Sequence, residues 1–276
     1  MELSEKPRVF ILMMGAIALA AILAPVAFAG EGASPDQKND GDLLWNLLQA
    51  EDGVSKTLAD IDRALLEAGL ALSDGGIEGE RAREVLDQLS GLGPFVVDCI
   101  TIDLDGIIVE VMPEEYQHVQ GMNIRDQEHI ERLLATRRPA GLAYIESVEG
   151  FRAMDFASPV FDEVGRLIGA VTVLVNSTVL FGDALAPHQP EGRAKIWAMT
   201  PDGTIIYDSD ADQIGRNTFI DPLFREFPDL LAVAERVEME RSGRGAYSIF
   251  GTSREVYWTT IDHQGSEIRL LLSVDA

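Results

Sequence analysis

The sequence predicts an α+β protein in which a long N-terminal helix leads into two related units, each an antiparallel sheet flanked by helices. Three observations carry this reading. Leu43, Leu44, Leu47, Leu48, Val54, Leu58, Ile61, Leu65, Leu66 and Leu70 recur at helical spacing. From Val96 onward, apolar runs of strand length alternate with turn residues. One pattern is also written twice: Asp105-Gly106 followed by Gly121-Met122-Asn123 returns as Asp202-Gly203 followed by Gly215-Arg216-Asn217. Matched glycines stay roughly one hundred residues apart, as expected of a duplicated folding unit.

The N-terminus sets the compartment. Lys6 and Arg8 precede an apolar run from Val9 to Ala24, closed by Pro25 and the small-residue site Ala27-Phe28-Ala29. Residues 1–29 therefore read as a secretory signal peptide. The run also has about the 20 residues a transmembrane helix needs, so an uncleaved signal anchor is the alternative. Both place the remainder outside the cytoplasm. Residues 30–42, rich in Gly, Ser, Pro, Asp and Asn, read as a flexible tether. N-terminal helices follow over 43–93: one from Asp42 to Leu72, broken by Ser73-Asp74-Gly75-Gly76, and one from Glu80 to Leu89, closed by Gly91 and Gly93. Their leucine stripe is expected to pack on the chain's own sheet or on a dimer partner.

The first unit is assigned to 94–185. Val96 to Ile102 and Ile107 to Met112 flank the Asp105-Gly106 turn, a strong hairpin signal. Gln127 to Thr136 reads as a helix, with Asp126 as its N-cap. Gly141 to Ser147, Phe151 to Val160 and Leu167 to Val175 read as strands, and a short helix follows from Ser177. The second unit, 193–276, repeats the order: a hairpin at Asp202-Gly203, a helix-rich stretch from Pro222 to Glu240, and strands at Gly245 to Phe250, Glu255 to Asp262 and Ile268 to Val274.

Composition narrows the function classes. The 46 acidic residues against 22 basic ones give a net charge of −24. That charge repels phosphates, so neither nucleic acid nor an anionic bilayer surface is an expected partner. The one cysteine, Cys99, lies in an apolar run and reads as a buried packing residue, so stability must come from packing without disulfides. The four histidines show no metal-ligand spacing, and no G-x-S-x-G, phosphate loop or zinc cysteine pattern occurs. Asp208-Ser209-Asp210-Ala211-Asp212 starts like a calcium loop but lacks its glycine and its closing glutamate. No enzyme, metal or cofactor is expected.

The quoted elements, with Asp126, Gly150, Ser158-Pro159-Val160 and Gly165 to Val171 in the first unit and Tyr207, Gly245, Tyr257-Trp258 and Gly265 in the second, resemble the double Cache family of extracytoplasmic sensor domains. The resemblance runs from Leu43 to the C-terminus and implies two PAS-like modules behind a long helix. It also implies a small-molecule pocket between a curved sheet and the helices and loops over it, without chemical conversion. The chain ends at Ala276 after its last strand, so the expectation is a secreted or N-terminally tethered binding protein working with a membrane-bound signalling partner. Family members that recognise amino acids carry an Arg followed two positions later by an aromatic; the corresponding places here are Gln127 and His129. This favours a small organic acid or another polar metabolite.

Five residues of the first module are the ligand-binding candidates. Arg152 suits a carboxylate and Asp155 an amine, and strand alternation places them on opposite faces, so only one can face a given pocket. Tyr116 and Tyr144 would supply ring walls with a hydroxyl handle. Arg125 enters from the loop before the helix. Tyr247, Tyr257, Trp258, Arg216 and His263 form the comparable set in the second module, ranked after the first, with Trp258 expected in the core and His263 exposed. The competing reading is a structural or interaction protein that docks on a partner, or dimerises, through its N-terminal helix.

Overall fold

A computed structural model describes residues 35–190 and 194–276. The proposed signal segment, the start of the tether and the start of the second module at residue 193 lie outside the described residues. Helix α1 spans Pro35–Gly75 and α2 Gly79–Ser90. The tether reading fails for 35–42, which already belongs to α1. Proline fits the first helical turn, where no intrahelical donor is needed, and the polar residues after it can continue a helix that is anchored further along. Among the described residues no helix is long and apolar enough to cross a membrane.

The first module holds β1 (Val96–Ile102), β2 (Ile108–Met112), α3 (Glu128–Thr136), β3 (Ala140–Glu146), β4 (Arg152–Phe161) and β5 (Leu167–Val175), followed by α4 (Ser177–Leu185). The second holds β6 (Lys195–Met199), β7 (Ile205–Tyr207), α5 (Pro228–Met239), β8 (Gly243–Ile249), β9 (Thr252–His263) and β10 (Ser266–Asp275). Each sheet has five antiparallel strands, in the orders β2-β1-β5-β4-β3 and β7-β6-β10-β9-β8. The α+β architecture is thus as the sequence predicts, and the structure adds that the last strand of each module lies at its sheet's centre.

The duplicated motif performs the same task twice. After β1, Gly106 N–H donates to the Asp103 carbonyl and Ile124 N–H to the Gly106 carbonyl; after β6, Gly203 N–H donates to Thr200 and Thr218 N–H to Gly203. The asparagines close each loop: Asn123 donates to the Asp105 carbonyl at 3.2 Å and Asn217 to that of Asp202 at 2.7 Å. Gly106 sits at φ +78°, and a Cβ there would come within 2.8 Å of the Arg125 Cα, so only glycine fits. Asp126 does not cap α3; Gln127 occupies that position without a side-chain cap bond, and Asp126 stays exposed.

Alternation sorts each strand between two cores. The inner faces of both sheets share one cluster with α1 and α2, in which Leu47, Leu58, Leu65, Phe156, Val173, Ile196 and Leu270 are buried. The N-terminal part of α1 meets the second module, where Thr259 donates to Glu51 at 2.9 Å; further along, Gly69 approaches Pro159 of the first. Half of the leucine stripe is therefore internal, while Leu44, Trp45, Leu48, Leu66 and Leu70 remain exposed. The outer faces carry smaller clusters, one under α3 and one under α5. His263, expected to be exposed, is buried: it lies 3.1 Å from Asp62 of α1 with its ring against the edge of Phe156 at 5.7 Å. Its turn packs between the modules, a long-range contact that turn chemistry cannot foretell.

Candidate functional site

The outer face of the first sheet carries a small cavity, about 20 Å³, whose polar wall comes from Asp98, Gln127, Ser147, Glu149, Asp155 and Thr172. Asp98 on β1 and Asp155 on β4 are both paired with Leu174 of the central strand, so their side chains share its outer face. Asp155 is 3% exposed and holds the buried His129 of α3 through Nε2···Oδ2 at 2.6 Å. Its Oδ1, Asp98 Oδ2 and Ser147 Oγ have no protein partner. Burial, then the charge of Glu149 and a hydrogen bond with it, then Asp155, push the Asp98 carboxyl up from 3.8 to about 9. No arginine or lysine lines this cavity. The arrangement is an acidic seat in which Asp155 pairs with His129 and Asp98 retains its proton.

Of the five predicted residues, the structure brings Asp155 into this cavity and sets Tyr116 near it. Tyr116 is half-buried against the outer core, and its phenol is pushed up by burial and by Glu115, Asp98 and Glu149. The others go elsewhere. Arg152 leaves on the opposite face, as alternation requires, and donates to the Gly215 carbonyl of the second module at 3.0 Å and to Glu146 at 3.4 Å. Arg125 lies across the Asp105-Gly106 turn and donates to the Leu104 carbonyl at 2.5 Å. Tyr144 borders a separate open groove with Glu128, Arg132 and Ser266. Arg125 and Arg152 thus satisfy backbone carbonyls, and the cation beside Tyr144 in its groove is Arg132.

A larger cavity, about 190 Å³, lies on the outer face of the second sheet, which the sequence ranks behind the first. Lys195 of β6, Arg254 of β9, Asp208, Asp210 and Thr218 are among its polar groups, and Trp197, Leu230 and Phe250 form part of its apolar wall. Tyr247 is the one member of the predicted second-module set that lines it. Arg216 pairs with Asp221 at 2.9 Å, and Trp258 is buried as expected, its indole N–H on the Glu240 carbonyl at 3.0 Å. Asp208 is pushed up by burial, partly offset by the Asp210 N–H and by Lys195. Sequence reasoning missed Lys195, Asp208, Thr218 and Arg254 because they come from separate strands and loops. The usable signal is the repeat, since Lys195 precedes Asp202 by the seven positions that separate Asp98 from Asp105.

Comparison with known proteins agrees with this architecture. Residues 56–177 match the HK/GC/chemotaxis protein-like sensor domain. An extracellular ligand binding receptor from Desulfohalobium retbaense is 32% identical, with a TM-score of 0.72 over 83% of this chain; the match spans 39% of that receptor's chain. The ligand-binding domain of the Pseudomonas fluorescens chemoreceptor CtaA, in complex with L-serine, is 17% identical with a TM-score of 0.62, over 86% of this chain and 98% of that one. The ligand-binding domain of the Pseudomonas aeruginosa amino acid chemoreceptor PctB, in complex with L-Arg, is 15% identical with a TM-score of 0.57, over 87% and 94%. No curated protein matches the chain. Fold, sensor-domain match and structural neighbours thus agree on a tandem Cache-like domain, of the extracellular ligand-binding type found in chemoreceptors and histidine kinases.

Proposed function

We propose that this chain is an extracytoplasmic, sensor-type binding protein that receives a small molecule bearing a protonated amine in its first module, converts it chemically in no way, and reports its presence to a membrane-bound partner. The observation that carries the reading is the buried pair Asp98 and Asp155, each with an oxygen lacking a partner and facing the same cavity. Asp155 is held by His129 at one oxygen and Asp98 retains its proton, so each leaves an oxygen to which an ammonium group can donate. The sequence reading allows a small organic acid or another polar metabolite; the engagement of Arg125 and Arg152 elsewhere favours the amine here. Simple primary amines are the first compounds to test, because a cavity of about 20 Å³ admits an ammonium head and little more; amino acids are the comparison. PctB and CtaA, which share the fold, were solved with amino acids bound.

The test is a thermal-shift and calorimetric screen of amino acids and primary amines against the purified chain. A ligand at one hundred times its Kd stabilises the native state by about 2.7 kcal/mol. The expected result is a shift with amines that disappears in Asp155→Asn. No shift with any amine at millimolar concentration, or an undiminished shift in Asp155→Asn, overturns the reading. Affinity should rise with pH through neutrality, because an ammonium seated at Asp98 displaces the proton that its raised pKa retains.

The exposed Trp45, Leu66 and Leu70 on α1 favour a second role alongside binding, a homodimer or partner contact along that helix. Leu66→Glu combined with Leu70→Glu would then lower the solution mass; an unchanged mass removes this role.

A further inference from the structure

We infer that the second module is a separate binding site of opposite preference, taking a small monocarboxylate with an apolar body. The inference rests on comparing equivalent places in the two sheets. Asp98 of β1 pairs with Leu174 of the central strand β5, and Leu174 pairs in turn with Asp155 of β4. In the second sheet Lys195 of β6 pairs with Ser273 of the central strand β10, and Ser273 pairs with Val256 of β9. The duplicated lattice therefore places a lysine and a valine where the first module has its two buried aspartates. Two positions before Val256, on the same face, stands Arg254. The duplication kept the frame and exchanged the paired aspartates for a lysine and a valine.

The seat has room and chemistry for such a ligand. Its volume of about 190 Å³ compares with the roughly 10–15 Å³ that one water needs, so it holds a metabolite-sized body. Trp197, Leu230 and Phe250 offer apolar surface, and the buried Thr218 Oγ1 on its wall has no protein partner. Arg254 is held in place: its Nε lies 3.3 Å from Asp275, and it hydrogen-bonds to Tyr247. Asp208 and Asp210 line the same cavity, and each also holds the loop together. Asp208 accepts the Asp210 N–H at 2.8 Å and Asp210 accepts the Asp212 N–H at 3.1 Å, both within one loop. Lys195 and Arg254 are the cations on the cavity wall, each near one carboxylate, Asp208 and Asp275, so an entering monocarboxylate binds by competing for this pair.

The experiment is calorimetric titration of the purified chain with straight-chain monocarboxylates from acetate to hexanoate, with the matching primary alcohols and primary amines and inorganic phosphate as controls. Carboxylates should bind, more tightly as the chain lengthens, and alcohols should not. Lys195→Glu, a change at an exposed side chain that leaves the core untouched, should weaken carboxylate binding by at least about tenfold, the loss expected for one charge-assisted contact. Arg254→Gln should do the same, and Asp155→Asn should leave it unchanged, which separates this site from the amine site of the first module. Absence of carboxylate binding up to about 10 mM overturns the proposal. So does binding that survives both cation variants, binding lost in Asp155→Asn, or binding of phosphate in place of the carboxylates.

Discussion

Asp98 should make this protein lose stability as the pH rises, and Asp98→Asn should abolish that loss. Its carboxyl is 1% exposed and pushed up from 3.8 to about 9. Between those values the unfolded chain has released the proton while the native chain keeps it. The native state therefore binds more protons, and the free energy of unfolding must fall with rising pH, by about 1.4 kcal/mol per pH unit for this group. From pH 5 to pH 8 the loss is about 4 kcal/mol, a large part of the 5–15 kcal/mol typical of a domain. Asparagine keeps the shape of the neutral acid and cannot ionise. Urea denaturation of both proteins at pH 5, 6, 7 and 8 measures the effect, since titrating groups other than its neighbours Glu149 and Asp155 cancel in the difference. Asp98→Asn should gain on the wild type by about 4 kcal/mol across that range. Parallel stability curves would refute the claim that Asp98 is held neutral by burial and by Glu149.

Two further outcomes test the frame around the sites. Gly169 lies at φ +159°, where a Cβ would stand 2.2 Å from the Ile102 carbonyl oxygen; Gly169→Ala should cost about 2 kcal/mol or more, read as a lowered urea midpoint, because backbone cannot step aside. Leu58 is 1% exposed in the core that both modules share, so Leu58→Ala should cost about 2–5 kcal/mol and move one transition, with no second transition emerging by circular dichroism or fluorescence.

Much of the frame is legible in local chemistry. β1 and β5 run over the residues that periodicity assigns to them, and Asp105-Gly106 and Asp202-Gly203 form the turns that their positive-φ glycines allow. Contacts between distant segments are not legible in that way. His263 sits in a turn whose local sequence predicts exposure, yet the junction of the modules buries it beside Asp62. Arg152 and Arg125 carry charges that suit a ligand, but carbonyls of Gly215 and Leu104 reach them first. The candidate sites divide along the same line. Asp155 could be found from strand alternation, whereas its pairing with His129 and its shared face with Asp98 depend on sheet register and on how α3 settles.

The shared inner core has a kinetic consequence. Since α1 closes the inner faces of both sheets at once, neither module can open that face without stripping apolar cover from the other. The amides at the centre of β5 and of β10 should therefore exchange with solvent in the same rare opening event, on one timescale. A ligand seated in either module would slow both sets together, so occupancy at one end of the molecule is registered at the other without any movement of the two sheets relative to each other.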